Sequence, residues 1–498
     1  MLNKILKNTS SNVSLLFVRM AVVFVMTPIY VSALGNHDYG VWEIVIATIG
    51  YMGLLDIGMK PTITRHVAKF MAEDDKTSLN ELFSTSLFFM SMIGVTLGLI
   101  FFVWAINWPH ILADVEGDYQ KYSWMLMIIG IQLLFVFPGY VAESFFEGYQ
   151  RYPLINNITI FNICVGSSLI YIYITPENAL ILIAALNATG LSLKYLLYFG
   201  LLARKKYGGY SFNLRAIKKL MLFRLLKFGG KSFVQGLGYQ VESGSPPIVI
   251  GTLLGPAYVV FYVIPTNLAK YIRTLGWTIT HVFLPVFSDL HGRKDAVAMR
   301  DVYLSYSRYV LGILLPIAIS VFFVGSEFID IWIGEEYGGQ AGLVLQVVVI
   351  YFMLPFLNPF ASRYLMAIDK HHLLAIIFPV VAIVNVTLAI IFVKVYGVIG
   401  VAYAAVLPLL FSVPYILYRT CRELELSLVA YIFSVWGRLI PPSVVSMLYF
   451  AIIESYLKID GYLSFLFVVA GGVVSYAVVF FMVGLTQSER NIVLRKLM

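Results

Sequence analysis

The chain has 498 residues, of which 60% are hydrophobic and 12% are charged, and its mean hydropathy is +0.84. Soluble globular proteins carry about 25% charged residues. The composition therefore excludes a soluble protein and indicates an integral membrane protein. The formal net charge of +8 raises nucleic acid as a partner, but the distribution of the basic residues along the chain argues against it.

Apolar runs recur along the chain, each about as long as the roughly 20 residues that a helix needs to cross a bilayer. A β-barrel would instead show alternating segments of about ten residues. The pattern predicts an all-α integral membrane protein with about fourteen transmembrane helices. In chain order the predicted spans are 13–34, 41–58, 82–106, 122–146, 154–174, 179–202, 231–254, 257–285, 304–325, 341–367, 373–393, 399–418, 439–457 and 462–484.

Basic residues are concentrated in every second connection between these spans. If the N-terminus is cytoplasmic, the cytoplasmic segments hold 26 of the 35 Lys and Arg residues, and the outer loops hold only Lys121, Lys394 and Lys458. Such a bias is the positive-inside pattern of multi-pass membrane proteins. It predicts that the N-terminus and the C-terminus are both cytoplasmic.

A basic segment, residues 203–230, divides the predicted spans. It has eight basic residues, no acidic residue and an amphipathic helical pattern. We predict a cytoplasmic linker that lies on the anionic inner leaflet, with substrate capture as the alternative. The predicted domains are an N-terminal lobe at 1–202 with spans 1–6, the linker at 203–230, a C-terminal lobe at 231–420 with spans 7–12, and spans 13–14 with a cytoplasmic tail at 421–498.

Residues 29–43 and 248–262 have similar sequences. In both, an apolar helix ends at Leu-Gly, a short polar turn follows, and a Tyr and a second aromatic residue begin the next helix. The similarity favours a parallel duplication of six-helix halves with the site between them, a common transporter plan. Two ordinary helical hairpins are the alternative.

Several basic residues lie inside the apolar spans, where one charge near mid-membrane costs roughly 2.5–3.5 kcal/mol. A chain retains several such charges where they face a watery interior, so they predict a cationic path. Lys270 and Arg273 share one helical face, with Asn267 one turn earlier, and such a pair favours phosphate. Snorkelling to the interface is the alternative. Further candidates for the substrate site are Arg19, Lys194 and Arg363.

Acidic and polar residues in the spans are candidates for gating. Span 7 has a polar stripe at Gln235, Tyr239 and Glu242. We hypothesise that Glu242 pairs with a basic residue when substrate is absent, and that exchange of this partner for a phosphate moves the gate. Glu143 and Asp56 lie near span ends, where an interfacial role is the alternative to gating or coupling.

Signatures of enzymes and metal sites are missing from the sequence. The seven histidines form no HExxH, no GxxxxGK[ST] is present, and the two cysteines, Cys164 and Cys421, are far apart. We therefore predict no catalysis, no cofactor and no metal site.

A series of motifs is spread over about the first 420 residues. Near the N-terminus these are the stretch from Arg19 to Pro28, Leu34-Gly35, residues 39–42 (YGVW) and residues 54–58 (LLDIG). Further along they are residues 147–152 (EGYQRY), 285–290 (PVFSDL), 331–334 (IWIG) and 396–400 (YGVIG). In order and spacing they resemble the polysaccharide transporter family, also called the oligosaccharide or O-antigen flippases. That family belongs to the multidrug/oligosaccharidyl-lipid/polysaccharide exporter superfamily.

This resemblance implies two pseudo-symmetric six-helix lobes around a central cavity, plus two C-terminal helices, and transport by alternating access. It implies a flippase that moves a polyprenyl-pyrophosphate-linked oligosaccharide from the cytoplasmic to the outer leaflet of the bacterial cytoplasmic membrane, for polysaccharide export. By the same resemblance, Arg19, Lys270 and Arg273 hold the head group, and spans 13–14 form a groove for the lipid tail.

Other readings of the sequence stay open. A non-transporting scaffold for envelope or spore assembly has the same fold, and so does a multidrug-cation antiporter, although basic spans repel organic cations. The coupling ion, H+ or Na+, is open. Membrane lipids are expected partners, and a polysaccharide polymerase or assembly proteins are candidate partners.

Overall fold

The computed structural model describes residues 2–56, 58–111, 119–370 and 372–497. The chain divides into two compact units, Met1–Gln240 and Val241–Met498. Each unit is described by itself. The division falls inside a helix, and residues 203–230 lie within the first unit.

The helices of the first unit are α1 (Leu2–Met52), α2 (Met59–Ala72), α3 (Lys76–Ile111), α4 (Tyr119–Gly148), α5 (Tyr152–Tyr173), α6 (Ala179–Leu202) and the first part of α7 (Lys219–Leu253). Short 3₁₀ turns lie at Gly53–Asp56, Lys205–Tyr207 and Leu214–Ala216.

The second unit begins with the end of α7 and a 3₁₀ turn at Pro256–Tyr258. Its helices are α8 (Val260–His281), α9 (Leu284–Gly292), α10 (Ala296–Trp332), α11 (Glu335–Met353), α12 (Ala361–Ala367), α13 (His372–Tyr396), α14 (Val398–Glu423), α15 (Leu428–Tyr431), α16 (Gly437–Tyr456), α17 (Tyr462–Val479) and α18 (Gln487–Leu497). Another 3₁₀ turn lies at Leu354–Leu357, and π-helical turns lie at Ile432–Trp436 and Phe480–Gly484.

The prediction of an all-α membrane protein is confirmed, since the described part of every predicted span is mainly helical. Eleven helical stretches of the described residues are long and apolar enough to cross a membrane. The difference from fourteen has two causes. The stretch Lys7–Met52 contains the first predicted span and most of the second. The predicted spans 7 and 8, on α7 and α8, carry polar and charged residues and are not among the eleven.

Two glycines at matching places of the similar segments have the same unusual backbone conformation. Gly35 interrupts α1 at φ 66°, and Gly255 follows α7 at φ 108°. Positive φ is strained for residues with a Cβ but open to glycine. In both segments the Leu-Gly pair therefore marks a break between two helices.

Small residues allow α3 and α4 to pack closely in the first unit. Gly94 and Gly98 of α3 form a GxxxG motif that faces α4. A Cβ atom on Gly98 would lie 3.0 Å from the carbonyl oxygen of Gly130, and one on Gly94 would lie 2.8 Å from that of Leu133. In membranes, helices associate through such close backbone approach because no hydrophobic force drives them together.

The C-terminal helices of the second unit pack on α10. Phe450 of α16 and Tyr476 of α17 are buried in one cluster with Ile319 and Val324 of α10. Helix α18 is held to the same helix by an ion pair between Arg308 and Glu489. The Arg308 side chain is only 5% exposed, so α18 covers a buried charge.

Three groups around Glu489 stabilise its carboxylate. Burial opposes the charge, but hydrogen bonds from Tyr309 and Thr486 and the Arg308 guanidinium outweigh it and lower the pKa of Glu489. The ion pair is therefore charged at neutral pH.

Candidate functional site

The first unit gathers charged residues where α2, α4 and α6 meet. The carboxylate of Asp56 accepts a hydrogen bond from the Gly58 amide at 2.7 Å. Gly58 has φ 66°, a conformation that glycine adopts without strain. This turn begins α2 and directs Lys60 toward α4.

Lys60 binds two carboxylates of α4. Its ammonium lies 3.0 Å from Glu143 and 3.3 Å from Glu147. The two carboxylates are four residues apart on one helical face, where like charges repel, so the ammonium between them stabilises both. Burial would lower the pKa of Lys60, but the two carboxylates outweigh it and raise that pKa. Lys60 therefore stays charged at any physiological pH.

Lys194 joins this group from α6. It is buried, and its ammonium lies 4.2 Å from the ring centroid of Tyr195, within the range of a cation–π contact. The Tyr195 hydroxyl donates to Glu143 at 3.2 Å. Lys194 is attracted by Glu143 and repelled by Lys60 and by Arg19 of α1. We call Lys60, Glu143, Glu147, Lys194 and Tyr195 the Lys60 cluster.

The second unit has a smaller group, in which a carboxylate of α7 meets a guanidinium of α8. Glu242 Oε1 lies 2.9 Å from Arg273 Nη1, and the hydroxyl of Tyr351 in α11 donates to the same carboxylate oxygen. The Arg273 guanidinium also packs 4.8 Å from the ring centroid of Phe352. We call Glu242, Arg273 and Tyr351 the Glu242 cluster.

Lys270 lies one turn before Arg273 on α8. Its ammonium donates to the Asn267 side-chain oxygen at 2.6 Å, so the predicted stripe of three polar residues is continuous on this helix. Arg363 lies on α12 and, among the described residues, makes no hydrogen bond or ion pair with either cluster. The side chains of Gln235 and Tyr239 lie outside the described residues.

Sequence reasoning missed four members of these clusters, among them Tyr195, which lies next to Lys194 on α6. Lys60 and Glu147 lie in or beside a predicted cytoplasmic connection, and Tyr351 lies in an apolar span. The spacing of Glu143 and Glu147 was the available signal, because two acids on one helical face require a cation. No sequence signal marks Tyr351, since its contact joins α11 to α7.

Comparison with known proteins gives both a family and a fold. Residues 5–291, more than half of the chain, match the polysaccharide biosynthesis protein family. A candidate O-antigen transporter of Shigella flexneri is 26% identical over 377 residues, which are 74% of this chain and 86% of that protein. A teichuronic acid biosynthesis protein of Bacillus subtilis is 21% identical over 302 residues, which are 59% of this chain and 58% of that protein.

Two groups of solved structures are similar in fold. The lipid II flippase MurJ, in an inward closed conformation, has a TM-score of 0.69 at 15% identity and covers 95% of this chain and 98% of its own. An inward-facing multidrug resistance MATE family transporter of the MOP superfamily has a TM-score of 0.65 at 15% identity, covering 82% of this chain and 98% of its own. The chain is a multi-pass membrane protein that belongs to the polysaccharide biosynthesis protein family and has a helical fold similar to those of the MurJ and MATE structures.

Proposed function

We propose that the protein is a flippase that moves a polyprenyl-pyrophosphate-linked oligosaccharide from the cytoplasmic to the outer leaflet by alternating access. The observation that carries this proposal is the pairing of Arg273 with Glu242 inside helices of a member of this family. A guanidinium in a membrane helix binds phosphate well, since its planar fork donates two parallel hydrogen bonds.

The contacts of Arg273 suit reversible binding. Glu242 neutralises the guanidinium when no substrate is bound, and its side chain is 34% exposed, so water or a ligand can reach it. A diphosphate carries more negative charge than a carboxylate and can displace it. Lys270, one turn away, adds a second cation to the same face of α8.

The Lys60 cluster is a second group of charged residues, in the first unit. Glu143 and Glu147 there are bound by Lys60, whereas Lys194 is held between the ring of Tyr195 and the charge of Glu143. We assign Lys194 and Arg19 to head-group binding, and Glu143 and Asp56 to gating. Arg363 is assigned to head-group binding as a more distant contact.

The test is complementation of a bacterial strain that lacks its lipid-linked oligosaccharide flippase, with flipping of a short-chain lipid diphosphate measured in proteoliposomes. We compare the intact chain with Lys270→Ala/Arg273→Ala, and use Arg419→Ala/Arg422→Ala as the control. The control removes two basic residues of the second unit from the end of α14, a helix that contributes no residue to the Glu242 cluster.

We expect the intact chain and the control to flip the lipid, and the Lys270/Arg273 variant to fail at equal expression. Flipping by all three proteins would contradict the assignment of Lys270 and Arg273 to the substrate site. An intact chain that neither flips nor binds lipid diphosphates would refute the flippase and favour an assembly scaffold.

A further inference from the structure

A cleft of about 370 Å³ opens in the first unit between α2 and the beginning of α7. This size lies within the roughly 300–1,000 Å³ of small-molecule pockets. Its lining residues are Arg65, His66, Lys69, Arg224, Lys227 and Phe228. Four of them are Lys or Arg, and none is acidic. We call this the cationic cleft.

The cations of the cationic cleft come from one face of each helix. Arg65 and Lys69 are four residues apart on α2, and Arg224 and Lys227 are three apart on α7, so each pair projects from one side. The Arg65 guanidinium lies 4.2 Å from the ring centroid of Phe228. This stacking joins the two walls and fixes the plane of one guanidinium.

The start of α7 is anchored on α3. The amide of Asn213 donates to the Ser84 hydroxyl at 3.2 Å, and the amide of Lys218 donates to the Thr85 hydroxyl at 3.0 Å. Leu225, in the first turns of α7, is fully buried. The cleft therefore has two fixed walls rather than one wall and a loose segment.

Positive charge in the cationic cleft is largely uncompensated. Lys69 lies 3.8 Å from Glu73. Among the described residues, no carboxylate is within ion-pair distance of Arg65, Arg224 or Lys227. Concentrated positive charge in a concave site attracts anions and raises their local concentration.

The second unit has a cleft of similar size, about 360 Å³, in which basic and acidic residues are balanced. Its Arg300 pairs with Glu425, and its Lys370 pairs with Glu423. The charges there cancel within the protein. An excess of cations over carboxylates is therefore a property of the cationic cleft and is not shared by the cleft of the second unit.

Apolar side chains next to the cationic cleft place it at a membrane surface. Leu214, Leu220 and Phe223 are 68%, 63% and 58% exposed. A segment that combines exposed apolar side chains with Lys and Arg lies in the membrane interface. The ligand that fits such a site is an anion that is itself anchored in the lipid.

We propose that the cationic cleft binds the phosphoryl groups of a membrane-anchored diphosphate, and so captures the lipid substrate before translocation. The identity of this lipid rests on the proposed flippase function. The shared chemistry, a phosphate held by two guanidinium and two ammonium groups, also suits a phospholipid head group or free pyrophosphate. The experiment separates these sources.

The experiment measures how ligands protect individual lysines of the intact protein from acetylation, read by mass spectrometry. Lys69 and Lys227 line the cationic cleft. Lys205 and Lys206 lie outside the cleft, in the short turn between α6 and α7, and are internal controls. The protein is placed in nanodiscs of neutral lipid. The probes are farnesyl diphosphate, inorganic pyrophosphate and added phosphatidylglycerol.

We expect farnesyl diphosphate at roughly ten times its Kd to slow acetylation of Lys69 and Lys227 about tenfold, because only the free fraction reacts. Pyrophosphate protects them more weakly, and Lys205 and Lys206 are unchanged. Arg65→Ala/Arg224→Ala abolishes the protection, whereas Lys270→Ala/Arg273→Ala keeps it.

Two outcomes would overturn the proposal. Equal protection of all four lysines would reduce the cleft to diffuse membrane electrostatics, and protection by phosphatidylglycerol alone would make it a phospholipid site. The flipping assay tests the proposed function independently of this site. A protein that does not flip lipid but shows the expected protection would refute the flippase function and keep the cationic cleft as a diphosphate site.

Discussion

Replacing Glu242 with Gln tests whether a phosphate displaces Glu242 from its ion pair with Arg273. The side chains of Glu242 and Arg273 are 34% and 15% exposed, and their charged atoms are 2.9 Å apart. At an effective dielectric constant of about 20, unit charges at that distance attract by about 6 kcal/mol. Desolvation and the exposure of Glu242 offset most of this, and hydrogen bonds between charged groups leave about 1.5–3 kcal/mol.

A ligand that takes Arg273 from Glu242 must overcome that net term. The lower end of the range, about 1.5 kcal/mol, applies because a third of the Glu242 side chain is exposed. About 1.4 kcal/mol corresponds to a tenfold change in affinity. Glu242→Gln is therefore expected to bind a short-chain polyprenyl diphosphate about tenfold more tightly. Flipping slows, because a ligand that is held more tightly is released more slowly.

The assay is calorimetric titration of the purified protein with farnesyl diphosphate, alongside flipping in proteoliposomes. Glu425→Gln is the matched control, since it makes the same chemical change in a carboxylate that pairs with Arg300. Tyr351→Phe removes one hydrogen bond to Glu242 and should change affinity in the same direction by a smaller factor. Unchanged or weaker binding by Glu242→Gln would refute the exchange of partners.

Two further predictions concern stability, measured as the melting temperature in detergent. Gly139→Ala should destabilise the first unit by about 1–3 kcal/mol, because the new Cβ would lie 2.1 Å from the Tyr195 ring. Gly166→Ala is the control and should leave packing unchanged, because a Cβ there meets nothing within 4 Å. Equal melting temperatures of the two variants would contradict this packing. Glu489→Gln should lower stability by about 3–5 kcal/mol, the usual cost of stranding a buried charge. The folded pKa of Glu489 is lowered, so its contribution is complete above its unfolded pKa and is lost as pH falls through the folded value. The Glu489→Gln variant should not lose this stability in acid. An identical dependence of melting temperature on pH in both proteins would contradict a stabilising Arg308–Glu489 ion pair.

The sequence was sufficient for the fold because the bilayer imposes a simple rule. A run of about 20 apolar residues has few alternatives to a spanning helix, and the described part of each predicted span is mainly helical. Hydropathy alone is least informative where polar and charged residues interrupt a predicted span. Glu242 lies on α7 and Lys270 and Arg273 lie on α8, and neither helix is among the apolar stretches.

The candidate site could be predicted only in part. Helical spacing was enough for Lys270 and Asn267, which are one turn apart on one helix and hydrogen-bonded. The pairing of Glu242 was predicted without its partner, because the contact joins two helices and depends on their packing. Tyr351 is more distant still, at 109 residues from Glu242 along the chain, and no local pattern connects them.

The ion pair that holds α18 also has a consequence for biosynthesis. Arg308 is made 181 residues before Glu489. At about 5–20 residues per second, a ribosome needs roughly ten to forty seconds to cover that distance. During this interval α10 carries a guanidinium without its carboxylate, and a chain that terminates early never acquires it. A truncation that removes Glu489 therefore leaves the buried Arg308 without its carboxylate and should shorten the lifetime of the protein.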